Sequence, residues 1–164
     1  MSKTLIVGIG NVLLSDDGAG VHGARVLAER LAGREDVRVL DGGTLSFTLA
    51  PMIAGADRLV ILDATQLDTA PGEIRTFIGE AVDRLLGRTR LTVHEIGLRD
   101  VLDVARLSGD LPQQRALIGI QPASLDWGTE LTPAVAACLE NIVAAVLELL
   151  ESWPAQSAAD LRAA

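Results

Sequence analysis

The chain contains no tyrosine, and its whole aromatic content is Phe47, Phe77, Trp127 and Trp153, 2% of 164 residues. Four scattered rings cannot form a stacking platform for single-stranded nucleic acid. Basic residues are outnumbered, and the formal net charge of −8 opposes a phosphate-backbone partner. That charge suits solubility, or a basic or cationic partner. A single cysteine, Cys138, excludes an internal disulfide framework and fits a reducing cytoplasm. Cys138 falls on the apolar stripe of the last predicted helix, so it reads as core and not as a nucleophile. No apolar run reads as long enough to cross a bilayer, so no membrane insertion is expected. The stretch from Leu5 to Leu14 is interrupted by two glycines and Asn11, and Asp16-Asp17 follows without a small-x-small cleavage site, so it is not read as a signal peptide.

What the chain has is aliphatic bulk. Apolar residues make up 49% of it, enough for one domain with a substantial core. We assign that domain to residues 1–153 and a short tail to 154–164. Strand and helix patterns alternate, which predicts an α/β fold: a three-layer sandwich with a twisted, mostly parallel sheet and helices on both faces. Strands are predicted at Thr4 to Gly10, Val37 to Leu40, Leu59 to Leu62, Ile74 to Ile78 and Ala116 to Ile120. Helices are predicted at about Ala19 to Leu31, Leu45 to Ile53, Glu80 to Leu86, Leu98 to Leu107, and from Thr132-Pro133 along a long final segment. Thr69-Ala70-Pro71-Gly72 reads as a type II turn, which would let the strand after it run antiparallel. Thr92 to Gly97 is either extended or a helix entry. Thr132 is expected to cap the final helix with its hydroxyl.

The densest stretch is Gly8-Ile9-Gly10-Asn11-Val12-Leu13-Leu14-Ser15-Asp16-Asp17-Gly18-Ala19-Gly20. It follows the first strand, at the edge where α/β proteins place ligands. Its glycines begin like a dinucleotide fingerprint, but Leu13 occupies the third glycine position. No Gly-Lys-Ser/Thr follows, so a P-loop is excluded. Two adjacent carboxylates suit a cation better than a phosphate.

Parallel strands share a carboxyl edge, which gathers Asp16 and Asp17 after the first strand, Asp41 after the second and Asp63 after the third. Crowded carboxylates take up protons or share a cation. With one imidazole added, the set suits divalent ions of the nickel or zinc type. Each residue also has a plainer role. Asp16 or Asp17 can cap the first helix, and Asp41 before Gly42-Gly43 can be a turn residue. Asp63 can bond nearby backbone, His94 can be a hydrogen-bonded structural histidine, and His22 reads as a partly exposed surface residue. Val12, Leu13 and Leu14 are expected to be buried, the alternative being a docking surface.

In order along the chain, the glycine- and aspartate-rich loop is joined by Leu40-Asp41-Gly42-Gly43-Thr44, Val60-Ile61-Leu62-Asp63-Ala64, Pro71-Gly72, His94-Glu95-Ile96-Gly97-Leu98, Leu117-Ile118-Gly119-Ile120-Gln121-Pro122 and Leu131-Thr132-Pro133. This ordered set resembles the [NiFe]-hydrogenase maturation endopeptidases over about residues 4 to 150. The resemblance implies a three-layer α/β fold and an enzyme that removes the C-terminal extension of the nickel-loaded hydrogenase large-subunit precursor. It places the catalytic, metal-contacting trio on Asp17, Asp63 and His94, with nickel carried by the precursor as the ion and other divalent ions as stand-ins. Asp41 matches a further acidic position near the cleft, and Asp16 inherits no role. The sequence offers no Gly-x-Ser-x-Gly elbow and no His-Glu-x-x-His motif. Three rivals make different predictions. A general small metallohydrolase would hold its own ion, a chaperone would read the client's metal without cutting, and a nucleotide binder would be stabilised by nucleotides.

Overall fold

A computed structural model describes residues 2–44, 47–88 and 91–154. Five strands form one sheet: β1 (Thr4–Ile9), β2 (Val37–Gly43), β3 (Arg58–Ala64), β4 (Ile74–Ile78) and β5 (Gln114–Ile120). Their spatial order is β2-β1-β3-β5-β4. β1, β2, β3 and β5 run parallel, and only the edge strand β4 is antiparallel, paired to β5 from Ile74↔Ile120 to Ile78↔Ala116. The reversal follows the predicted turn. Gly72 has φ +84°, and the Glu73 amide donates to the Ala70 carbonyl at 3.1 Å, the closure a type II turn makes.

Every residue of β1 and β3 is buried, as expected where helices cover both faces of a sheet. Alternation along the strands divides the core in two. Ile6, Val60, Leu62 and Ile118 face helix α1 (Ala19–Arg30) and helix α6 (Leu139–Ser152). Leu5, Val7, Ile61 and Leu117 face α2 (Ala50–Ala54), α3 (Glu80–Leu86) and α4 (Val93–Leu107). Chain leaving β1 therefore goes to one face, and chain leaving β3 returns over the other. The carboxyl ends of β1 and β3 flank the switch point, the crevice where open α/β sheets bind ligands.

Several sequence expectations are corrected here. β2 continues to Gly43, so Asp41 lies within the strand, paired with Gly8, and does not follow its end. Asp63 is likewise the penultimate residue of β3. The final helix is broken: α5 (Pro133–Ala136) and α6 are separate, with the buried Cys138 at the break. Thr132 does precede α5, but its side chain makes no cap bond; its hydroxyl donates to Asp16. The stretch Pro133–Ser152 is, against expectation, long and apolar enough to cross a membrane by length and composition. Its apolar face, with Ile142, Val143, Val146 and Leu149, is packed against the sheet, so its hydropathy is accounted for as core. Leu45, at the predicted start of the second helix, and residues 155–164 of the tail lie outside the described residues.

Candidate active site

The glycines after β1 serve close packing. A Cβ at Gly20 would stand 2.1 Å from the Leu62 carbonyl oxygen and 2.6 Å from that of Ile9. One at Gly8 would stand 2.2 Å from the Gly20 carbonyl oxygen. Helix α1 can therefore press directly onto β1 and β3 only without side chains at these points. Gly10 has φ +137° and lies over the Asp17 carbonyl, which turns the loop sharply into a 3-10 turn at Ser15–Gly18. The motif shapes a tight corner that delivers Asp17 to the crevice.

Asp16 and Asp17 have different fates. Asp16 is fully buried and faces inward. Its Oδ2 accepts from the Ala123 amide at 2.8 Å, the Ser124 amide at 3.1 Å and the Thr132 hydroxyl at 2.8 Å, and its Oδ1 accepts from the Thr132 amide at 2.8 Å. Burial opposes the charge on Asp16, but these four donors outweigh it and hold the carboxyl below its ordinary range. Asp17 turns the other way. Its Oδ2 lies 2.8 Å from His94 Nε2 and accepts from the Asn11 amide at 2.9 Å. Burial again raises its proton affinity, and the contacts with His94 and Asn11 lower it below the usual value. Correspondingly, the hydrogen bond to Asp17 raises the pKa of His94 against the effect of burial.

His94 owes its position to the start of α4. Thr92 is the N-cap: its hydroxyl accepts from the Glu95 amide, and Glu95 Oε2 accepts from the Thr92 amide at 2.8 Å. This reciprocal capping box fixes the first turn, so the segment left open in the sequence is a helix entry. Glu95 is itself fully buried and takes Arg88 Nη2 on Oε1 at 2.9 Å. The Thr-x-x-Glu spacing was visible in the sequence, and reading it would have assigned both residues.

Asp63 is completely buried, and neither carboxyl oxygen has a well-formed hydrogen bond; the neighbouring Ala64 amide is the one group that lowers its proton affinity. Burial raises its pKa well above the ordinary carboxylate value, and the nearby charges of Glu95 and Asp17 raise it further. A buried acid with so little hydrogen bonding is rare in a folded protein. His94 Nδ1 is also without a partner. Among the described residues, no three His, Cys, Asp or Glu side chains are already arranged to hold a metal ion. Asp17 and His94 touch, and Asp63 feels the charge of Asp17, but they are not a ready cage.

The other acid expected at this edge, Asp41, is engaged by neighbouring groups of its own. Asp41 accepts from Arg25 Nη2 at 3.2 Å and from the Gly43 amide at 3.0 Å, on the exposed side of α1. His22 lies on the same side, half-buried, with Nε2 unpartnered. Burial and then the Arg25 charge lower its pKa, with Asp41 acting in the opposite direction. A cavity of about 390 Å³ lies at the amino ends of the strands, lined by Lys3, Arg38 and Met52 among others, and shares no residue with the crevice.

The model of the HycI family, described as hydrogenase maturation protease, matches residues 21–149. The chain belongs to the hydrogenase maturation protease family. The hydrogenase expression/formation protein HupD of Rhodobacter capsulatus is 37% identical over 152 residues, covering 92% of this chain and 72% of the relative. The hydrogenase 2 maturation protease of Escherichia coli K12 is 36% identical over 149 residues, 90% of each protein. Among solved structures, the hydrogenase maturating endopeptidase HybD from E. coli superposes with a TM-score of 0.85 at 35% identity, over 91% of this chain and 92% of that one. Membership makes this chain a hydrogenase maturation endopeptidase, a class consistent with processing of the hydrogenase large subunit.

Proposed function

We propose that the protein removes the C-terminal extension of the [NiFe]-hydrogenase large-subunit precursor after nickel insertion, and that Asp17, Asp63 and His94 contact the nickel held by the precursor. The observation that carries this reading is the buried carboxyl of Asp63, without a well-formed hydrogen bond, at the switch point beside the Asp17–His94 pair. Two carboxylates and an imidazole suit a borderline divalent ion.

The protonation states supply the discrimination. Without a cation, burial favours the neutral form of Asp63, and Asp17 and His94 satisfy one another. A precursor lacking metal offers nothing to open that pair or draw the proton from Asp63. A nickel-bearing precursor does both, so recognition and proton release are one event. Bond cleavage then consumes one water. The scissile C–N bond breaks, the mature subunit keeps a carboxylate, and the tail leaves with a free amine. No thiol of this chain takes part, since Cys138 is buried at the α5–α6 break. We place the reaction in the cytoplasm, with the folded precursor as partner.

The test is tail release from nickel-loaded precursor, followed by intact mass. His94→Ala and Asp63→Asn are expected to slow it by more than about 100-fold, beyond the cost of losing a supporting partner at a metal site. Wild-type rates in either folded variant would remove that residue from the site.

A further inference from the structure

Nine large apolar residues are exposed among the described residues, and six of them lie on the segments that follow β1, β2 and β5 or open α4. Leu13 follows β1 and Phe47 follows β2. Val93 and Ile96 flank His94 in the first turn of α4. Leu125 and Trp127 follow β5. Leu13 was expected to be buried, yet it is 49% exposed, with Leu125 at 52% and Trp127 at 82%. A chain with only four aromatic residues leaves one indole almost fully in water beside its candidate active site.

The segment bearing that indole is held firmly. Asp16 binds it at Ala123, Ser124 and Thr132. The Ser15 hydroxyl donates to the Asp126 carbonyl at 2.8 Å, the Gly128 amide donates to the Leu13 carbonyl at 2.9 Å, and the Ser15 amide donates to the Gly128 carbonyl at 2.9 Å. Leu14 and Gly128 form a parallel β-bridge. The Asp17 loop and the 122–132 segment are thus one stitched unit. Neither 10–18 nor 122–132 contains a basic residue, whereas Asp126 and Glu130 add negative charge. An apolar wall with acidic flanks complements a polypeptide that presents apolar and basic side chains. A rigidly mounted, exposed tryptophan is the usual anchor of such a contact.

We propose that the 122–132 segment, mounted on the Asp17 loop by Asp16, is the wall that grips the client polypeptide through Leu125 and Trp127. This rests on the function proposed above and names the surface used. The experiment measures binding and cleavage of the nickel-loaded large-subunit precursor by the full chain, with Trp127→Ala and Leu125→Ala beside wild type. Trp127→Ala is expected to weaken precursor binding and raise KM by about tenfold or more, with kcat within about twofold and an unchanged melting temperature. Leu125→Ala should shift KM in the same direction by less. Wild-type KM and affinity in both variants, while wild type cleaves, would overturn this inference and leave the proposed function standing. A wild-type chain that neither binds nor cuts the precursor would overturn both.

Discussion

Asp16→Ala removes one acceptor from four donors. Bonds to a charged group contribute about 1.5 to 3 kcal/mol each, and stranded donors carry a further penalty. The four share one carboxylate and water can reach parts of the loop, so they do not add. A loss of about 3 to 5 kcal/mol is expected, in the upper tail of single substitutions. At about 2 to 4 °C per kcal/mol for a chain of this size, the melting temperature should fall by about 6 to 20 °C. The pH dependence has a definite sign. The folded pKa of Asp16 is lowered, so the unfolded chain binds this proton at higher pH than the folded one. Its stabilisation is complete above the unfolded value of about 3.9 and is lost as pH falls through the folded value. Urea unfolding of both proteins from about pH 7 to about pH 3 should therefore show a gap that is widest near neutrality and narrows below about pH 4. A neutral-pH gap under about 1 kcal/mol, or one that stays constant to the acid end, would show that the ionised Asp16 carboxylate does not hold this loop.

Asp63 should behave in the opposite way, because its folded pKa is raised. Its burden on stability is absent below the unfolded pKa and grows as pH rises toward the folded one. Asp63→Asn should therefore melt higher than wild type at neutral pH, by about 1 to 3 kcal/mol, with the advantage fading toward about pH 4. A variant less stable than wild type at pH 7, measured calorimetrically, would contradict this. Gly20→Ala forces a methyl against the Leu62 and Ile9 carbonyls, which cannot rotate away. It should cost about 3 kcal/mol or more by denaturant midpoint, and a change under about 0.5 kcal/mol would show that α1 is free to shift.

The layered fold was legible because strand and helix periods alternate over the first half of the chain and the turn at Pro71-Gly72 marks the one reversal, where β4 follows β3 directly. The capping box at Thr92 and Glu95 was equally legible in its spacing. The division of labour between Asp16 and Asp17 was not. Adjacent identical residues differ only in the direction the backbone turns them, and that depends on Gly10 and on a segment more than a hundred residues away. The same long-range contact was hidden at Thr132, whose hydroxyl donates to Asp16 and makes no cap bond. The ion pair of Asp41 with Arg25 was not legible, because the two meet only once α1 packs beside β2. The exposure of Leu13 depends on the bridge between its loop and Gly128, which periodicity does not encode.

The proposed metal reading works through a buried acid that burial drives toward its neutral form and a mutually satisfied acid–imidazole pair. Its most direct measurement is the intact mass of one large-subunit precursor, prepared with and without nickel and incubated with the wild-type chain. Loss of the tail from the loaded form alone is the predicted result. Equal cleavage of both forms would contradict it.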